Sequence, residues 1–112
     1  GSLSDLMKDL EKRFDKFMEA IKNKWDKVKA AFRKQEKGEE RAKDMFKIFR
    51  EELEQLRKAI RNALSEALSK INDLPITNDD KKLASNKAKK RAARVMKKVE
   101  AFIADVEAWK TQ

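Results

Sequence analysis

The sequence predicts an all-α protein, an up-down-up antiparallel three-helix bundle with long helices, and three observations carry that expectation. Apolar residues recur at spacings of three and four through nearly the whole chain, the pattern of a helix face turned toward a core. The periodicity breaks at two places, and each holds a residue that ends helices, Gly38 or Pro75. No stretch alternates apolar and polar residues as a half-buried strand would.

The first helix is expected over about residues 3–36, with Leu3, Leu6, Met7, Leu10, Phe14, Phe17, Met18, Ile21, Trp25, Val28 and Phe32 on its apolar stripe. Gly38, the only internal glycine, can take the left-handed conformation that closes a helix, and Glu39 and Glu40 then oppose the dipole of the next one. The second helix is expected over about 39–72, its stripe running through Phe46, Phe49, Leu53, Leu56 and Ile60 to Leu64, Leu68 and Ile71. Pro75 supplies no amide donor and disfavours helical geometry at Leu74, so the chain turns there. Thr77 is a natural N-cap, with Asp80 three residues on as its capping-box partner. The third helix is expected over about 78–110, with Leu83 or Ala84, Ala88, Ala92, Val95, Met96, Val99, Phe102, Ile103, Val106 and Trp109 inward. Short connections make such helices antiparallel neighbours, and a chain of 112 residues is expected to be one domain spanning 1–112.

Composition narrows the function. The chain has no Cys and no His, which removes disulfides, the usual zinc sites and imidazole acid–base chemistry. Carboxylates are plentiful, but pairs such as Glu39-Glu40, Glu51-Glu52 and Asp79-Asp80 are adjacent, and neighbours on a helix point about 100° apart. With one internal glycine no Gly-rich phosphate loop can form, and Asp79-Asp80 lacks the spaced ligands of a calcium loop. No enzyme activity, metal, cofactor or small-molecule substrate is therefore expected. No apolar run nears the roughly 18 residues of a membrane span, so solubility is expected.

One segment departs from the chemistry around it. Residues 62–86 hold 8 of the chain's 12 Ser, Thr and Asn residues and its only proline. Ser and Asn on a helix surface each cost about 0.5 kcal/mol relative to Ala. A chain that avoids them elsewhere keeps them here for a surface rather than for folding. The run is Ser69-Lys70-Ile71-Asn72-Asp73-Leu74-Pro75-Ile76-Thr77-Asn78-Asp79-Asp80-Lys81-Lys82-Leu83-Ala84-Ser85-Asn86. It resembles the helix-turn-helix antigenic site II of the respiratory syncytial virus fusion glycoprotein, the segment bound by neutralising antibodies of the palivizumab and motavizumab class. Lys70, Leu74, Asp80, Ala84 and Lys87 depart from the viral pattern, and nothing outside residues 65–87 looks viral.

The resemblance implies a designed epitope scaffold: a foreign helical bundle carrying the site over about residues 62–87. It implies an antibody Fab of that class as the partner, and a recombinantly expressed soluble protein with no natural compartment. Gly1-Ser2 reads as the remnant of a cleaved expression tag. It further implies that Asn72, Asn78, Asp79, Lys82, Ser85 and Asn86 include antibody contacts, with Lys82 as a charged anchor.

Helical geometry supplies a face for those contacts. Ser65, Ser69 and Asn72 each follow a stripe residue by one position, which puts them on a solvated flank of the second helix. Asn78, Lys82 and Ser85 recur at four and three on the third, bordered by Asp79 and Asn86. Across the turn the two polar faces can merge. Leu68, Ile71, Pro75, Ile76, Thr77 and Leu83 are expected to hold the shape. A monomer is expected, although a dimer through Ile48, Ala59 or Ala93 stays open.

The alternative reading rests on residues 87–98, with seven basic side chains from Lys87 to Lys98 and no acid. Such a run can bind nucleic acid or an anionic membrane. In a chain that is 44% charged with a net charge of +9, it is more often a solvated face, and no aromatic accompanies it to stack on bases. Neither a specific nucleic acid nor a membrane is therefore expected as partner.

Overall fold

In the computed structural model, which describes residues 2–34 and 39–110 (side chains of 34, 39–42 and 110 excepted), the chain forms α1 (Leu3–Lys34), α2 (Glu39–Asn72) and α3 (Asn78–Lys110). The helix starts and the end of α2 stand where the periodicity places them; the end expected for α1 near residue 36 and the turn at Gly38 lie outside the described residues. The bundle is an elongated body of 60 × 22 × 16 Å, about as long as a single 34-residue helix. α2 packs antiparallel to both neighbours, while α1 and α3 touch least.

The helix starts follow from local chemistry. Ser2 opens α1, its hydroxyl accepting the Asp5 amide at 3.2 Å and its carbonyl the Leu6 amide at 3.2 Å. It thus serves as an N-cap, a role that its reading as a tag remnant concealed. Thr77 opens α3 as expected: its Oγ1 accepts the Asp80 amide at 3.1 Å and its carbonyl the Lys81 amide at 2.9 Å.

One continuous core runs the length of the bundle, and its character changes from end to end. At the end farther from Pro75 it is aromatic. Trp25 stacks on Phe49 with ring centroids 5.2 Å apart and meets Trp109 edge-on at 5.1 Å. Phe32 closes the group edge-on against Trp109 at 5.4 Å and Phe46 at 6.2 Å. At the Pro75 end the core is built from methyl groups: Ala63 and Ala67 of α2 and Ala84, Ala88 and Ala92 of α3 are buried, and α1 supplies Met7, Leu10 and Phe14 to fill between them. Among the described residues no polar or charged side chain is buried.

Two details correct the expected stripes. Leu64 and Leu68 are only half-buried at its edge, and Ala63 and Ala67 take the central positions with Ile71. On α3 the inward residue is Ala84, 1% exposed, whereas Leu83 is 62% exposed. Adjacent helix positions differ by about 100°, so only one of that pair could turn inward.

Ion pairs join every helix pair. Arg13 meets Glu66 at 2.6 Å and Lys24 meets Glu52 at 3.0 Å between α1 and α2. Arg57 grips Glu100 with two parallel bonds, Nε to Oε1 at 2.9 Å and Nη2 to Oε2 at 2.8 Å, and also reaches Glu54. Arg50 meets Glu107 at 3.2 Å, and Arg91 meets Glu11 between α3 and α1. The pairs that Arg57 and Arg50 make match the antiparallel register of α2 against α3, which the buried apolar stripes hold.

Candidate functional site

The polar segment lies at the Pro75 end, built from the last two turns of α2, the connection, and the first two turns of α3. α2 unwinds gradually. The Asp73 amide is shared between the Ser69 and Lys70 carbonyls, both at 3.2 Å, and the Leu74 amide reaches the Ile71 carbonyl at 3.1 Å. The Ile76 amide then bonds the Leu74 carbonyl at 2.9 Å, an i to i+2 closure around Pro75. That is the pattern of a γ-turn, and the fixed φ of proline suits its central position. The turn is thus made by the backbone, with Thr77 capping the helix that follows.

Around this turn the side chains sort cleanly. Ser65, Ser69 and Asn72 are exposed on α2; Asn78, Asp79, Lys82 and Asn86 are exposed on α3, and Ser85 is half-buried. Because α2 and α3 pack directly and antiparallel, these residues occupy one end of one helix pair. Ile71 is 0% exposed and anchors the segment to the core; Leu68 and Ile76 are half-buried beside it. Pro75 and Thr77 are exposed and act through the backbone instead. Leu83 does not hold the shape: it projects into solvent from a helix whose packing is done by Ala84 and Ala88.

Glu66, within the same segment, was not among the expected site residues. It turns toward α1, where Arg13 Nη1 donates to its Oε2 at 2.6 Å. That hydrogen bond, and then the charge of Arg13, holds its carboxyl below the ordinary value of 4.5, with a smaller contribution from Lys70. Glu66 therefore fastens the last turns of α2 to α1. A partner on another helix leaves no trace in local spacing, so the sequence carried no signal for it. The departures from the viral pattern also acquire reasons. Ala84 is a departure that the core demands, and Asp80 places a carboxylate in the first turn of α3, where the helix dipole favours it.

The arrangement offers hydrogen-bonding amides and hydroxyls, together with Lys82, at one end of the α2–α3 pair. Among the described residues no group of three or more His, Cys, Asp or Glu could hold a metal ion. No helix of the described residues is long and apolar enough to cross a membrane.

The crystal structure of an RSV epitope scaffold matches this fold with a TM-score of 0.85 and 67% sequence identity, over 98% of this chain and 96% of that one. This chain belongs to the RSV epitope scaffolds. No family model matches it. As an RSV epitope scaffold it carries its polar segment at the end of the bundle where buried alanines line α2 and α3. The foreign surface and the frame meet at Ala63, Ala67, Ile71 and Ala84.

Proposed function

We propose that this epitope scaffold, a single domain acting as a monomer, presents residues 65–86 to antibodies of the palivizumab and motavizumab class. The contact set is Ser65, Ser69, Asn72, Asn78, Asp79, Lys82, Ser85 and Asn86. The observation that supports this most is that the run resembling antigenic site II forms an exposed helix-turn-helix in a relative of an RSV epitope scaffold, with all but Ser85 of those side chains open to solvent.

The mechanism is preorganisation. A free peptide of this length is marginally helical in water, and an antibody that had to order it would lose affinity to that ordering. In the bundle both helices extend far beyond the graft, so folding of the scaffold supplies the order before the antibody arrives. The asparagine amides and serine hydroxyls then offer hydrogen bonds, and Lys82 offers a charge to an acidic paratope group. Such recognition needs no bond making, and no catalytic role is assigned to any residue.

Titration with a site II Fab tests the reading. The intact protein binds; Lys82→Glu loses at least about 2 kcal/mol of binding, the scale of a charged hot spot, with helix content unchanged. Unaltered affinity in that variant would remove Lys82 from the contact set, and a Fab that ignores the folded parent would end the proposal.

A further inference from the structure

Away from the presented end, the most uneven feature of the molecule is the charge on α3. Between Asp80 and Glu100 the helix has nine basic residues and no acidic one. The fold disposes of some of them. Arg91 is engaged by Glu11 of α1, and Lys98 borders a shallow depression that also contains Asp15, Glu19 and Asp105. Lys87, Lys90, Arg94 and Lys97 are all exposed. Their spacings of three, four and three put them on one stripe, with cations about 5 Å apart along roughly 15 Å of helix. No aromatic, Asn or Gln side chain lies between residues 87 and 98.

We propose that this stripe is a docking surface for a linear sulfated polysaccharide. Ammonium and guanidinium groups in line bind successive sulfates through charge-assisted hydrogen bonds. The stripe has no platform on which a base could stack and no amide to read a base edge, so it recognises the spacing of negative charge alone. It also leaves Lys82 open. Glu100 marks the side of α3 that faces α2, through Arg57. Lys82 lies five full turns from Glu100 on that side, and the stripe sits about 100° around the helix from both. Asp79 and Asn86 of the antibody set lie near the stripe's own side of α3, so the test alters only Lys90, Arg94 and Lys97, beyond that set, and its failure is distinct from failure of the antibody reading.

The test is titration of the folded protein with a size-defined heparin oligosaccharide at low and at physiological salt. Binding is expected at low salt, weakening about tenfold or more at physiological salt as counterions compete. The triple reversal Lys90→Glu, Arg94→Glu, Lys97→Glu is expected to weaken binding at least about tenfold. The same change at Lys12, Lys16 and Lys27, exposed on α1, alters net charge equally and is expected to weaken it less than about threefold. Should the reversal perturb folding, the neutral set Lys90→Gln, Arg94→Gln, Lys97→Gln still loses several-fold in affinity while preserving helix content. Equal losses from the α3 and α1 sets would overturn the proposal, leaving only net charge. Duplex DNA of matched charge binding as tightly as heparin would overturn it as well.

Discussion

Leu83 and Ile71 show how differently two apolar residues of one segment serve the protein. Ile71 is wholly buried and Leu83 is 62% exposed, yet both stand in the run that resembles the viral site. Ile71→Ala removes buried methyl groups and leaves a cavity, so it is expected to destabilise by about 2–5 kcal/mol. Leu83→Ser removes little packing and is expected to stay within about 0.5 kcal/mol of the parent. Chemical denaturation of the two variants side by side measures the contrast. Spacing alone could not separate Leu83 from Ala84: a leucine is the stronger hydrophobic signal, and a three–four rule tolerates either position. The choice rests on tertiary packing: Ala84 lies within the core cluster to which all three helices contribute, and Leu83 lies outside it. The sequence holds that information only as side chains on distant helices.

At the scale of elements, the helix ends were the most legible part of the chain. Pro75 and Thr77 each act locally, and the observed γ-turn and cap follow from their own backbone chemistry. Thr77→Ala is expected to cost about 1 kcal/mol and to raise amide exchange in the first turn of α3 before anywhere else. The links between elements were not legible, because Arg13–Glu66 and Arg57–Glu100 join residues more than forty positions apart. Their signature is pH dependence. Hydrogen bonds from Arg13 and Arg57 hold Glu66 and Glu100 below the ordinary 4.5 in the folded protein. Above that value both carboxylates are charged whether folded or not, and the stabilisation is complete. As pH falls below it, the unfolded chain takes up protons first, and stability is lost as the folded values are passed. The denaturation midpoint should therefore hold between neutral pH and about pH 5 and then fall. Paired Glu66→Gln and Glu100→Gln replacements should flatten that decline. Both carboxylates are solvent-exposed, so the effect is modest.

Across the whole molecule, the two ends of the core divide the work. The aromatic end, with the buried Trp25 against Phe49 and Trp109, contains no part of the presented surface. Trp25→Ala is expected to cost about 3–5 kcal/mol of folding stability. Under conditions where the variant stays folded, its affinity for a site II Fab should match the parent, which melting curves and titration together would show. The three-helix architecture was readable from periodicity because every helix repeats its apolar stripe over about nine turns. The unequal division of the core was not, since alanine is a good helix former wherever it stands and does not announce that it is buried.

That row of methyl groups at Ala63, Ala67, Ala84, Ala88 and Ala92 has a metrological consequence. Helix axes settle at a separation dictated by whatever side chains lie between them, so these alanines act as shims between the halves of the antigenic surface. Exchanging them one at a time for glycine or valine would yield graded gauges, and an immunoglobulin's preference along that series would report the gap it was raised to fit.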